Sequence, residues 1–336
     1  MRFNSLLMAL PAVALTTGIA SADTASYKVG ELDPFANTTY ALDTTNDGGI
    51  VLGSDMRMWS MGDNWNQVSV GSTSTHDWTP QIVSEGGNDH TVIEGVRVPI
   101  MRFDVSSMAG NYDAITGGTL EITLYDRQAG APSFMFDVKT LTSANAGWTF
   151  GTTADQAWAN YGASGAYKGY QGNDVWDNWA ANSNAYFGFQ PGNFDQTLNI
   201  SKTLVDGVET QLNKRVIDGE GNETWVATNN MYSAADTNSA DGKHAMTYVI
   251  DLSAELIEEW IADPTNAGFA IVASEVIRDA EGNLPTTNPL PAAIGSLNDN
   301  IAAYRPVLNI DYTTVPEPAS LALFGIGALA MLRRKH

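Results

Sequence analysis

Strict alternation of apolar and polar residues is the feature that most restricts the fold. In Thr119-Leu120-Glu121-Ile122-Thr123-Leu124-Tyr125, Leu120, Ile122 and Leu124 face one way and Glu121, Thr123 and Tyr125 the other, which predicts a half-buried strand. Gly117-Gly118 reads as the turn before it. Val96, Val98 and Ile100 alternate, then Met101, Phe103 and Val105 do, and the slip in phase beside Pro99 predicts a bulge or an edge strand. Further strands are expected at Phe134–Val138, Tyr248–Ile250 and Val307–Tyr312, and the apolar run Phe269–Ala273 predicts a strand buried on both faces. One segment has the helical period. Ser253 is placed to cap it, Leu256, Ile257, Trp260 and Ile261 share a face, and Pro264 stops it. With no βαβ rhythm and no long repeat, the expectation is an all-β chain. It is an antiparallel β-sandwich of jelly-roll type, with one short helix and a long Gly/Asn-rich insertion over about residues 160–245.

Both ends lie outside that fold. Residues 1–22 read as a secretory signal, with Arg2 as the positive start, a mainly apolar run from Leu6 to Ala20, and small residues at Ala20 and Ala22 for signal peptidase, leaving Asp23 as the new N-terminus. At the other end, Pro316-Glu317-Pro318 leads into the run Leu321–Leu332, which falls short of the ~20 residues of an ordinary spanning helix. A basic cluster, Arg333-Arg334-Lys335-His336, then closes the chain and would hold such a tail on the cytoplasmic side. This three-part tail over residues 315–336 resembles the PEP-CTERM sorting signal. The resemblance implies a Gram-negative bacterium that makes exopolysaccharide, and transient inner-membrane insertion through the tail. It also implies recognition by an exosortase, removal of the tail near the Pro-Glu-Pro, and delivery to the cell surface or matrix. A plain C-terminal anchor is the alternative. The exported domain is then residues 23–314.

Charge and composition exclude several partners. The chain carries a net charge of −21 and no Cys, so disulfides, thiolate metal sites and Cys nucleophiles are absent. Removing both labels takes away Arg2, Arg333, Arg334 and Lys335 but only Glu317, so the exported domain is more acidic still. Nucleic acid, whose phosphates need Lys and Arg, is excluded as a partner. Polyanions and anionic membrane surfaces are disfavoured unless a cation bridges them.

Three stretches resemble one domain family. They are Met101-Arg102-Phe103-Asp104-Val105-Ser106-Ser107 with the Gly118–Tyr125 strand, Ile250-Asp251-Leu252-Ser253 through Trp260 to Gly268-Phe269-Ala270-Ile271, and Arg305-Pro306-Val307-Leu308-Asn309-Ile310-Asp311-Tyr312. In this order they resemble the DNRLRE-type domain, named for disaggregatase-related proteins and partly classed as a carbohydrate-binding module. Trp148 and Trp158 sit where that family often has tryptophans. No opening strand is clear over residues 23–84, and the insertion is unusually long. Arg102, Asp104 and Arg305 read as members of a partly buried ion pair.

Little in the sequence points to catalysis, and a non-enzyme is expected. His76, His90 and His244 stand apart, and no H-E-x-x-H or G-x-S-x-G occurs. Glu258-Glu259 is the closest pairing of acids, on the polar side of the helix. Calcium is the one cofactor expected, at oxygen-rich loops: Asp43, Asn46 and Asp47; Asp218, Glu220 and Asn222; and Asp279–Asn283. The alternative at each is an ordinary Asx turn or hairpin. For a glycan, the aromatics of the insertion are the candidates, Trp176, Trp179, Tyr170 and Tyr186 foremost, because sugar C–H faces stack on rings and hydroxyls bond to the neighbouring Asn and Asp. Their alternative is a small satellite core. The functional expectation is a non-catalytic protein that binds extracellular polysaccharide. A structural or adhesive protein is the second reading, and a polysaccharide hydrolase or lyase the third.

Overall fold

The structure, a computed structural model, describes residues 22–40, 48–52, 67–72, 81–85, 88–92, 96–125, 133–148, 191–233, 244–276, 292–295 and 301–314, with backbone alone over 48–98, 273–276 and 292–295. In chain order the strands are β1 (Ala22–Tyr27), β2 (Gly48–Leu52), β3 (Gln67–Ser72), β4 (Gln81–Glu85), β5 (Asn88–Val92), β6 (Val96–Met101), β7 (Ala114–Tyr125), β8 (Phe134–Leu141), β9 (Phe194–Thr197), β10 (Ile200–Val205), β11 (Val208–Glu209), β12 (Leu212–Ile217), β13 (Glu223–Thr228), β14 (Met231–Tyr232), β15 (Met246–Leu252), β16 (Phe269–Val276), β17 (Ala292–Gly295) and β18 (Val307–Thr313). The single α-helix among the described residues, α1, spans Ala254–Ala262.

The chain is mostly β, and every ladder among the described residues is antiparallel. Fourteen strands join along the path β11-β10-β15-β7-β17-β3-β6-β16-β8-β14, with β18 and then β1 branching from β7, β2 from β6 and β9 from β8. The two ends of the path share one core. Leu120, Ile122 and Leu124 of β7 and Ile250 of β15 meet Phe134, Phe136 and Val138 of β8 and Ile271 of β16, giving a sandwich-like arrangement. Phe136 stands edge-on to Tyr248 of β15 at 4.8 Å, locking the halves together.

The alternation of β7 holds for its apolar face, with Leu120, Ile122 and Leu124 fully buried. Its polar face differs at the end. Tyr125 is also fully buried, its ring tilted against Tyr304 at 4.8 Å in a second small cluster. Gly117-Gly118 is not a turn but the interior of β7, paired with Asp311 and Ile310 of β18. A Cβ at Gly118 would lie 2.3 Å from the Asn309 carbonyl oxygen and 3.0 Å from Ile257 of α1. The glycines therefore permit close approach of a strand and a helix.

β6 is neither bulged nor at an edge. β2 pairs along it, including Ile50 with Pro99. On its other side β3 holds Val96 and Arg97, and β16 holds Ile100 and Met101, so Pro99, which has no N–H to give, falls at the handover. Past Met101 the ladder ends, and Arg102, Phe103 and Val105 continue buried without it.

α1 forms as its sequence dictates. The Ser253 hydroxyl accepts the Leu256 N–H, Leu256, Ile257, Trp260 and Ile261 are buried, and Glu258 and Glu259 stay in water. Glu255, exposed in the first turn, is held below the usual carboxylate range by its own backbone N–H and the Ser253 hydroxyl. After the helix the chain returns through Gly268 at φ +72, where a Cβ would sit 2.1 Å from the Met101 carbonyl oxygen.

Candidate functional site

Residues 194–232 supply the site because their strands run through both halves of the sheet path. β9 and β14 pair with β8, whereas β10 pairs with β15. Between β10 and β14 the chain makes a hairpin, β12–β13, which pairs only with itself among the described residues.

At the root of that hairpin lies a groove of about 380 Å³, lined by Asp137 of β8, Thr197–Ile200, Gln211 and Ala227–Asn230. Its walls are fastened to both halves. The Asn229 amide donates to the carbonyls of Ile200 (3.3 Å) and Ser201 (2.9 Å), and the Thr203 hydroxyl donates back to the Asn229 carbonyl (3.1 Å). On the other side Phe136 N–H donates to the Asn230 carbonyl (2.9 Å), and Leu198 N–H donates to the Val138 carbonyl (2.8 Å). The Gln211 amide closes the hairpin base through the carbonyls of Leu212 and Thr228.

These bonds use one end of each side chain and leave the other end open. Among the described residues the amide oxygens of Asn199, Gln211 and Asn229 accept no bond. The Asn230 amide nitrogen and the Thr197 hydroxyl make none either. The groove thus offers neutral acceptors and donors at fixed positions. Its one carboxylate among the lining residues, Asp137, is ion-paired with Lys139 at 3.5 Å.

The hairpin itself is exposed on both faces. Trp225 is 64% exposed, whereas Trp148 and Trp260 are buried. Opposite Trp225 stands Arg215, ion-paired with Glu223 at 2.9 Å on the same face. Sequence reasoning passed over Trp225 because it looked to the denser aromatics upstream; its signal was an alternating Glu-Thr-Trp-Val-Ala-Thr segment with no apolar strand to cover it.

The loop Asp218–Asn222 is the turn of this hairpin. Asp218 Oδ1 accepts the N–H groups of Glu220 (3.0 Å) and Asn222 (2.7 Å), and Oδ2 accepts the Asn222 amide (2.9 Å). The Asn222 bonds hold its carboxyl below the usual range. It is an Asx turn, with Gly221 at φ +85. No group of three or more metal-ligating side chains occurs among the described residues. Asp43, Asn46, Asp47 and the Asp279–Asn283 loop lie outside them, as do Trp158, Trp176, Trp179, Tyr170, Tyr186, Ala20 and the tail.

The sequence motif around Arg102 is structural. Arg102 is fully buried, its Nη1 donating to the carbonyls of Thr265 (3.2 Å) and Asn266 (3.4 Å) and its guanidinium lying 4.6 Å from the Trp148 ring centre. Trp148 Nε1 donates to the Ala267 carbonyl at 2.8 Å. Asp104 turns its carboxylate onto the Ser106 N–H and hydroxyl, and Arg305 donates to the Val29 carbonyl. Among the described residues, Arg102 and Arg305 thus meet carbonyls and a ring, and Asp104 meets Ser106.

Among the described residues no helix is long and apolar enough to cross a membrane. No curated protein matches the chain, and no solved structure matches it. Residues 314–335 match the family model of the PEP-CTERM protein-sorting motif, a signal that supports an exported, exosortase-processed protein of a Gram-negative bacterium.

Proposed function

We propose that the exported domain is a non-catalytic, glycan-binding component of the cell surface or extracellular matrix, built as a DNRLRE-like jelly roll. The observation that carries this reading is the groove at the hairpin root. Sugars present many neutral hydroxyls, and the groove presents neutral amides and a hydroxyl whose open ends have no partner among the described residues. A preformed pocket with a few placed polar groups is the usual form of a small-ligand site. The hydrolase reading is weakened by the same lining, because a glycosidase needs two carboxylates across the cleaved bond and Asp137 stands with Lys139 instead.

The structural or adhesive reading draws on a different feature, the exposed Val216, Ile217 and Val226 of the hairpin. Calcium stays part of the proposal through the net charge and through the loops at Asp43 and Asp279. A glycan array probed with the secreted protein, with and without calcium, tests the choice. Retention on neutral glycans supports the binding reading, and an empty array in both conditions supports the structural one.

A further inference from the structure

We propose that the β12–β13 hairpin is a stacking arm that extends the groove, and that the two together hold a neutral polysaccharide along its length rather than by its end. This inference rests on the glycan-binding reading and adds to it the platform and the class of chain.

The pleat places the parts in a row. Glu223, Trp225 and Ala227 are alternate residues of β13 and so share one face, spaced about 7 Å apart per pair of residues. Ala227 and Thr228 both line the groove, so β13 runs into it and Trp225 stands two residues along the strand from its edge. The register adds Asn213 opposite Ala227, Arg215 opposite Trp225 and Ile217 opposite Glu223. A chain leaving the groove along this face meets a ring first and a charged pair next.

The ring is presented, not packed. Trp225 keeps 64% of its surface in water, on a strand exposed at every position from Glu223 to Ala227. An exposed tryptophan on a two-stranded hairpin gives little to stability, since such a hairpin has no core of its own. It does offer a flat apolar face to the C–H side of a sugar.

Charge selects the class of chain. Beside the ring, Arg215 and Glu223 neutralise each other at 2.9 Å, and in the groove Lys139 offsets Asp137. Planar charged pairs of this kind bond to hydroxyls while presenting no net charge. The whole chain at −21 repels a polyanion at longer range. Between a neutral and a polyanionic chain, the neutral one is what the ring, the paired charges and the field all favour.

Isothermal titration of the full chain with cellohexaose and mannohexaose, their disaccharides, and alginate tests the proposal. A neutral hexaose should bind, Trp225→Ala should weaken it about tenfold, Trp225→Phe should restore most of the loss, and disaccharide binding should change little. The melting temperature of Trp225→Ala should stay at the wild-type value. Hexaose affinity unchanged in Trp225→Ala would overturn the arm and leave the groove reading standing. Preference for alginate would overturn the neutral class. Wild type that binds none of the sugars would overturn both the arm and the reading beneath it. A dimer in sedimentation that Trp225→Ala dissociates would make the hairpin a contact between copies, and overturn the arm.

Discussion

Ala22 stands opposite Thr313, the first rung of the β1–β18 ladder. Ala22 is the last residue of the signal as read from the sequence, and the sorting motif begins at residue 314. The signal boundary read from the sequence and the start of the sorting motif therefore fall at one end of one strand pair. The ladder between them is a working part of the fold: Tyr27 of β1 is fully buried, edge-on to Tyr40 at 5.5 Å and bonded to Ser107 at 3.2 Å.

The two cuts should leave β18 whole and shorten β1 only by its first residue, Ala22. Intact-mass analysis of the secreted protein should place the new N-terminus at Asp23 and show loss of the residues after the Pro-Glu-Pro. A mature form that keeps Leu321–His336 contradicts exosortase processing. Trimming further, to remove Asp23–Tyr27, should unfold the domain. Tyr27→Ala alone should cost about 3–5 kcal/mol in urea unfolding, the usual loss for a large buried ring.

The sequence discloses elements whose period is strong. α1, the apolar face of β7, and β16 and β18 follow directly from spacing and capping. β1 was illegible because Ala-Asp-Thr-Ala-Ser-Tyr buries only Ala25 and Tyr27, and its partner is nearly 300 residues away. Gly117-Gly118 misled for a physical reason: glycine marks turns and close strand approaches alike, and only the partner carbonyl of Asn309 tells them apart. The groove was beyond reach because its walls come from β8, the β9–β10 link and the end of β13, which only tertiary pairing brings together. The Asp218 loop shows the limit of composition, since the oxygens that suggest a cation are also those that close an Asx turn.

Buried tyrosines should make the fold sensitive to alkali. Burial raises the hydroxyl pKa of Tyr27 and Tyr248 above the ordinary value. The raised groups bind their protons more tightly in the folded state. Their contribution is complete below about pH 10, the unfolded value, and falls as pH rises above it. Tyrosinate absorbance should show these two rings ionising only as circular dichroism records unfolding; ionisation with the fold intact would contradict their burial.

The Arg102 cluster should tolerate little change. Trp148→Phe removes the donor to the Ala267 carbonyl and should cost about 1–3 kcal/mol, the penalty for a buried polar group left unmet. Gly268→Ala should be worse, because positive φ and the Met101 carbonyl at 2.1 Å both oppose a Cβ. Chemical denaturation of each variant gives the order, and a Gly268→Ala protein of wild-type stability would contradict the close approach.

The helix cap is a smaller, separable term. Ser253→Ala removes the acceptor for the Leu256 N–H and should cost about 1 kcal/mol. Without the Ser253 hydroxyl, Glu255 should also titrate closer to the ordinary carboxylate value. A carbon-13 titration of Glu255 reads this directly, and an unmoved pKa would contradict the bond.

The central claim is that the groove binds neutral glycan. Titrating the neutral glycan best retained on the array into wild type and into the double variant Thr197→Val, Gln211→Met tests it most directly. Both positions line the groove, and both changes keep the side-chain shape while removing its hydrogen-bonding atoms. Two lost hydrogen bonds of about 0.5–1.5 kcal/mol each predict roughly a tenfold or greater loss of affinity, with only a small fall in melting temperature from the lost Gln211 bonds to the Leu212 and Thr228 carbonyls. Equal affinity in the two proteins would contradict the account.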